Sequence, residues 1–154
     1  MYFPDDPDYH PLAVSYNMLL ERCDRPSALV IMEHLEALDA PMRVAQLRVL
    51  GGAMARVRND ATAFAHRASP IMINIAAFYE DEADKARKQA WMTGFANALR
   101  QSDTGAYVNF VGDEGPERVR NAVYPGKTWD RLREIKRRYD PDNVFRLNQN
   151  IPPA

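Results

Sequence analysis

The stretch Ile71-Met72-Ile73-Asn74-Ile75-Ala76-Ala77-Phe78-Tyr79 sits directly ahead of the long run from Glu82 to Arg100, EADKARKQAWMTGFANALR. The first has the β-branched density of a buried strand. The second gathers Ala83, Ala86, Ala90, Trp91, Phe95, Ala98 and Leu99 towards one side, with Asp84, Lys85, Arg87 and Lys88 towards the other, so it reads as a helix lying across a sheet. Working outward, residues 42–50, MRVAQLRVL, alternate and read as a strand with Val44, Gln46 and Arg48 on one face and Ala45, Leu47 and Val49 on the other. Gly51-Gly52 fits a tight turn, and Ala53–Val57 alternates again. Further upstream, Leu12, Val14, Tyr16, Leu19 and Leu20 fit an amphipathic helix to about Arg22, and a second helix is expected from Pro26-Ser27 to before Pro41. Residues 1–11 read as an irregular Pro- and Asp-rich lead-in. Downstream, Ala106–Val111 reads as a short strand, and Thr128 as the N-cap of a last helix through Trp129, Leu132, Ile135, Lys136 and Tyr139, stopped by Pro141. The expected class is α+β, with a mainly antiparallel sheet covered on one face by helices.

Within the closing third, Tyr107-Val108-Asn109-Phe110, Tyr124-Pro125-Gly126, Arg131-Leu132, Tyr139-Asp140-Pro141-Asp142-Asn143-Val144-Phe145 and Asn148-Gln149-Asn150-Ile151-Pro152 follow one another in a set order. This succession of a YxN segment, a YPG turn, an RL…YDP.N.F helix and an N.NI.P terminus resembles the end of the berberine-bridge-enzyme-like FAD-linked oxidases of the vanillyl-alcohol-oxidase superfamily. The resemblance runs from about Leu50 to Pro153. It implies three parts: a helical lead-in over 1–41, a sheet with its covering helix from the substrate domain over 42–104, and a berberine-bridge-type C-terminal segment over 105–154. It also implies FAD as cofactor, a small-molecule substrate, and a flavin-holding N-terminal domain. The chain has seven glycines and no G-x-G-x-x-G. A missing N-terminal FAD-binding domain or subunit is therefore the expected partner, lost by truncation of the gene or encoded separately.

On a strand, Tyr107 and Asn109 would stand about 7 Å apart on one face. The residues alone read either as a paired phenol–amide site or as an aromatic strand residue beside a turn-forming Asn. The resemblance implies the former, with Tyr107 over the flavin's reactive face as catalytic base. A phenol of ordinary pKa, ~10, needs help from its surroundings to act so at neutral pH. Asn148 and Asn150, if extended, would aim both amides one way, suited to a cofactor ring, or else form an exposed polar terminus. The resemblance places Asn109, Tyr124, Asn148, Asn150 and Arg67 at the cofactor. Arg67 could equally be a strand-end Arg paired with a carboxylate. Asn74 and Gln46 are the candidate substrate contacts, Gln46 otherwise belonging to a solvated sheet face. Ala76, on the same face as Asn74, cannot do acid or base work.

Net charge is -1, which gives no bias towards nucleic acid or an anionic membrane. The basic run Arg131–Arg138 is interspersed with acids and reads as a charged surface helix. Cys23 is alone and the three histidines are dispersed, so neither a disulfide framework nor a metal site is expected. The acidic start lacks the basic and apolar regions of a secretory signal, and the longest apolar stretch is too short to span a bilayer. These features predict a cytoplasmic protein without membrane or nucleic-acid partners. Alongside the oxidase stands a reading of another class, a cofactor-free α+β scaffold presenting a large apolar sheet face to a partner.

Overall fold

The structure is a computed structural model, and it describes residues 13–40, 42–112 and 114–154. The expected lead-in over 1–11 and the helix-stopping role of Pro41 lie outside the described residues.

Three strands, β1 (Ala13–Leu20), β2 (Arg43–Val49) and β3 (Ile71–Phe78), form an antiparallel sheet in the order β1-β3-β2 among the described residues. The β-branched stretch thus becomes the central strand, and the α+β architecture is as the pattern predicts. The helix expected over 12–22 is instead β1. Val14, Met18 and Leu20 join the core beneath the helices while Leu19, on the opposite face, is also fully buried. A strand covered on both faces loses the clean alternation that marks a half-buried one, and its apolar spacing mimics a helix.

Two helices cover one face, α1 (Arg25–Ala37) and α2 (Glu82–Leu99). Asp24 caps α1 through Ser27, and Asp81 caps α2 through Asp84, each satisfying an N–H that a helix leaves open. The core joins Leu20, Ile73, Ile75 and Ala77 of the sheet to Ile31, Met92, Phe95 and Leu99 of the helices. Phe95 is fully buried and stacks on His34, while the Trp91 indole donates to the His34 carbonyl. Its replacement by Ala would cost about 3–5 kcal/mol. The inner face of α2 departs from the expected one. Ala83, Ala86, Ala90 and Ala98 are exposed, and Lys88 is buried, its ammonium donating to the Phe78 carbonyl and to Asp84. A charge is tolerated there because both of those partners reach it.

Beyond the sheet, Ala53–Val57 is no strand. Gly51 and Gly52 take positive φ and turn the chain into a 3-10 helical turn, Met54–Arg56. Ala106–Val111 is likewise irregular, with a 3-10 turn at Val108–Phe110. After α3 (Pro116–Arg118) and a wide turn at Val119–Val123 comes α4 (Lys127–Tyr139). Gly126, at positive φ, occupies the N-cap position of α4, and Thr128 lies inside the first turn rather than capping it. A second core of Ala106, Val111, Val119, Val123 and Trp129 holds this C-terminal part together.

The C-terminal part lies on the helix-free face of the sheet. Leu19 N donates to Gly105 O at the outer edge of β1, and the Arg48 guanidinium lies 4.9 Å from the centre of the Phe110 ring. The approach is close: a Cβ on Gly105 would sit 2.6 Å from His66 Nδ1 and 2.6 Å from Leu19 Cδ1. This face is not uniformly apolar: strand register puts Asn17, Asn74 and Gln46 in one polar row across its middle. Val44 and Phe78 are exposed on this same face, and further exposed apolar side chains sit on the other side of β2 (Leu47, Val49), on α1 (Leu29, Met32) and in the tail (Val144, Phe145, Leu147).

Candidate functional site

Tyr107 is the last extended residue before the Val108–Phe110 turn. The turn, not a strand, brings Asn109 back on to it: Asn109 Nδ2 donates to the Tyr107 phenol oxygen at 2.7 Å. The two side chains therefore meet, by a geometry different from the expected i, i+2 strand pair. Because Asn109 supplies the donor, the phenol O–H keeps its own proton for another acceptor. Two rings hold the phenol in place, Phe64 edge-on at 5.8 Å and Phe110 tilted at 6.0 Å.

Tyr124 closes the wide turn and, with Tyr107, Phe64 and Val108, lines a small recess of about 160 Å³. Burial pushes the Tyr124 phenol above its ordinary value, with the nearby Tyr107 phenol adding to that effect. Asn109 also lines a larger open recess of about 810 Å³ together with Asn148, Val108 and Gly112. Asn148 has φ of 58°, and its carbonyl accepts from the Asn150 N–H, so the closing N-Q-N is a turn and not the expected extended segment. An Asn tolerates this left-handed conformation better than most residues. Gln149 pins the turn by donating to the Val111 and Gly112 carbonyls. Asn150 is half-buried, and its Oδ1 has no partner among the described residues.

Arg67 is held by the Met54 carbonyl and the Thr62 hydroxyl, and its guanidinium carbon lies 5.6 Å from the centre of the Phe64 ring that also packs on Tyr107. No ion pair of Arg67 with a carboxylate occurs among the described residues. In the polar row, Asn74 lies between Asn17 and Gln46, and its Oδ1 is buried without a partner among the described residues. Gln46 accepts from Arg48, whose guanidinium reaches the Phe110 ring beside Tyr107.

Tyr107, Tyr124 and Arg67 thus gather around Phe64, Asn109 is bonded to Tyr107, Gln46 reaches Phe110 through Arg48, and Asn148 shares the neighbouring recess. Asn150 is in neither recess. Four participants escape a reading of the sequence: Asn17, Phe64, Phe110 and Gln149. Asn17 was hidden in a segment with helical spacing, and the others act through contacts distant in sequence. Among the described residues no three or more His, Cys, Asp or Glu gather as metal ligands, and no helix is long and apolar enough to cross a membrane.

Comparison with known proteins bears on this region. Residues 106–152 match the family model described as berberine and berberine like. An uncharacterised FAD-linked oxidoreductase, YgaK, of Bacillus subtilis (strain 168) is 37% identical over 108 residues, 69% of this chain and 23% of that protein. Berberine bridge enzyme-like 21 of Arabidopsis thaliana is 31% identical over 122 residues, 66% of this chain and 22% of that protein. In fold, the structure of Physcomitrella patens BBE-like 1 wild-type superposes with a TM-score of 0.77 at 21% identity, covering 92% of this chain and 30% of that one. The chain spans about a quarter of the length of the curated relatives it matches.

Proposed function

We propose that this chain, which corresponds in sequence and fold to the C-terminal portion of a berberine-bridge-like FAD-linked oxidase, forms the substrate-side wall of a flavin site that oxidises a C–H bond next to a hydroxyl or amine. The observation that carries this reading is the Asn109–Tyr107 contact beside two open recesses, inside the matching segment. The residues present suit the ring end of FAD. Asn109 and Asn148 line the larger recess with amides, and Asn74 Oδ1 is a buried acceptor without a donor among the described residues, as a substrate hydroxyl would supply. Nothing in the sequence resembles a diphosphate cradle, so the rest of the cofactor falls to an N-terminal portion or subunit.

A bound flavin supplies the hydride acceptor, and the protein supplies position and electrostatics. To act as the base, Tyr107 Oη first gives up its own proton to solvent and then, as the phenolate, takes the proton of the substrate heteroatom, while Asn109 and the Phe64 and Phe110 rings fix where that oxygen sits. Asn148 offers its amide to the cofactor from the larger recess, Asn150, outside both recesses, has no such reach, Tyr124 shapes the recess beside the phenol, and Arg67 provides a fixed cation for charge developing on the ring. Asn74 and Gln46 face the substrate side. The enzyme acts in the cytoplasm, in keeping with the single free Cys23. The relatives named as FAD-linked oxidoreductases and as a carbohydrate oxidase do not favour a cofactor-free scaffold.

The test is Tyr107→Phe in an enzyme completed by a flavin-binding N-terminal portion. Turnover falling about 10²–10⁴-fold with flavin retained is the expected result. Unchanged turnover would remove Tyr107 as the base.

A further inference from the structure

We infer that Asn17 is the positioning residue of the Tyr107–Asn109 pair, an assignment that rests on the reading of Tyr107 given above. Asn17 sits on the edge strand β1, fully buried, on the helix-free face. Its Nδ2 donates to Ile73 O at 3.0 Å, across the sheet, and its Oδ1 accepts from Tyr107 N–H at 2.8 Å. Exchanging the two amide atoms would set donor against donor and acceptor against acceptor, so only this orientation satisfies both neighbours. The site asks for a short side chain with one donor and one acceptor, which is an asparagine.

The same residue ties the segment down twice. Asn17 O, on the outer edge of β1, accepts from Arg118 Nη2 at 2.7 Å. The Arg118 guanidinium also packs over the Tyr16 ring at 4.3 Å and pairs with Glu114. Two residues along the strand, Leu19 N donates to Gly105 O. The chain from Gly105 to Arg118 is therefore strung along β1 at three points, and the one made by the Asn17 side chain falls on the residue that carries the phenol. Tyr107 N–H is also the last extended amide before the turn that returns Asn109 to the phenol oxygen. Displacing that nitrogen moves Tyr107 Cα and with it the phenol against Phe64, and it alters the closure of the Asn109 contact.

Leucine at position 17 matches the shape but satisfies neither neighbour. Aspartic acid, when protonated, reproduces both hydrogen bonds, its O–H donating to Ile73 O and its carbonyl accepting from Tyr107 N–H. When ionised it turns a negative oxygen on the Ile73 carbonyl. Burial raises the acid's titration point, which brings the switch between the two forms within reach.

The experiment is NMR of the whole 154-residue chain as wild type, Asn17→Asp and Asn17→Leu, at about pH 5 and about pH 9. It follows the amide exchange and ring signals of Tyr107 and the side-chain amide of Asn109. Asn17→Asp should match wild type at the lower pH and depart from it at the higher, at Tyr107 and Asn109, while the Ile75 and Ala77 amides hold their positions. Asn17→Leu should depart at both and lose at least about tenfold of the Tyr107 amide protection. Tyr107 and Asn109 signals that stay at their wild-type positions in Asn17→Leu, or that move only in step with Ile75 and Ala77, would overturn the assignment. Should Asn17→Leu fail to fold, the Asn17→Asp pair of spectra decides, and Tyr107 signals indifferent to pH would overturn it. None of these readouts involves flavin, so failure here leaves the oxidase reading to its own test.

Discussion

Asn109 Nδ2 lies 2.7 Å from the Tyr107 phenol oxygen, donating to it from the far side of a single 3-10 turn. The phenol therefore keeps a free O–H while its orientation is fixed. Replacing Asn109 by Ala removes the donor and leaves the ring held only by Phe64 and Phe110. In the completed enzyme, turnover should fall about tenfold or more with substrate KM little changed, since the contact orients a reacting group and does not bind substrate. A rise in KM at unchanged kcat would assign Asn109 to binding instead.

Asn148 takes a left-handed conformation, so its side chain has a defined direction at the rim of the larger recess. Asn148→Ala is expected to weaken flavin retention or shift the visible flavin bands of the completed enzyme. Asn148→Gly, which relieves the backbone while also removing the amide, should do the same. If Asn148→Gly restores wild-type spectra, the residue serves the turn and not the cofactor.

Gly105 admits no side chain. A Cβ would meet the His66 ring and Leu19 Cδ1, both at contact distances that real atoms do not adopt, and His66 is itself held by Val123 O. Gly105→Ala should destabilise the chain by about 1–3 kcal/mol, read from thermal or urea unfolding. Gly112→Ala, where the added carbon meets nothing within 4 Å, is the control and should be nearly silent.

Asp84 is held well below the ordinary carboxylate range, at about 2, chiefly by its hydrogen bond with Lys88 and then by Arg87. A folded-state value below the unfolded one means that its contribution to stability is fully present above about pH 4 and is lost as pH falls towards about 2. Asp84→Asn should flatten that part of the acid-unfolding curve. It should also lower the melting temperature more than Lys88→Met, because it leaves a buried ammonium without the carboxylate that neutralises it. The reverse order of the two variants would contradict the pairing.

What the sequence shows of this molecule follows how local each feature is. The central strand from Ile71 is legible from its dense β-branched run, and the helix from Glu82 from a long stretch of helix-forming residues, although its inner face is not the one the spacing suggests. The strand at Ala13–Leu20 is not, since Leu19 and Leu20 are both fully buried, on opposite faces, and the pattern blurs into a helical one. Tyr107 and Asn109 are legible as a pair, although the strand expected to join them is a turn. Asn17 is invisible as their partner because it bonds a residue ninety positions away. The closing Asn148 and Asn150 diverge from an extended pair because Gln149, between them, is drawn to the Val111 and Gly112 carbonyls.

The most direct test of the account is the amide NMR spectrum of this chain titrated with riboflavin, which presents the isoalloxazine ring without the diphosphate that the chain has no loop to hold. Saturable shifts confined to Tyr107, Asn109, Tyr124 and Asn148, weakened by Asn148→Ala, are what a flavin-ring wall predicts. No shifts at high riboflavin concentration, or shifts gathered instead around Lys127 and Arg131, would contradict it.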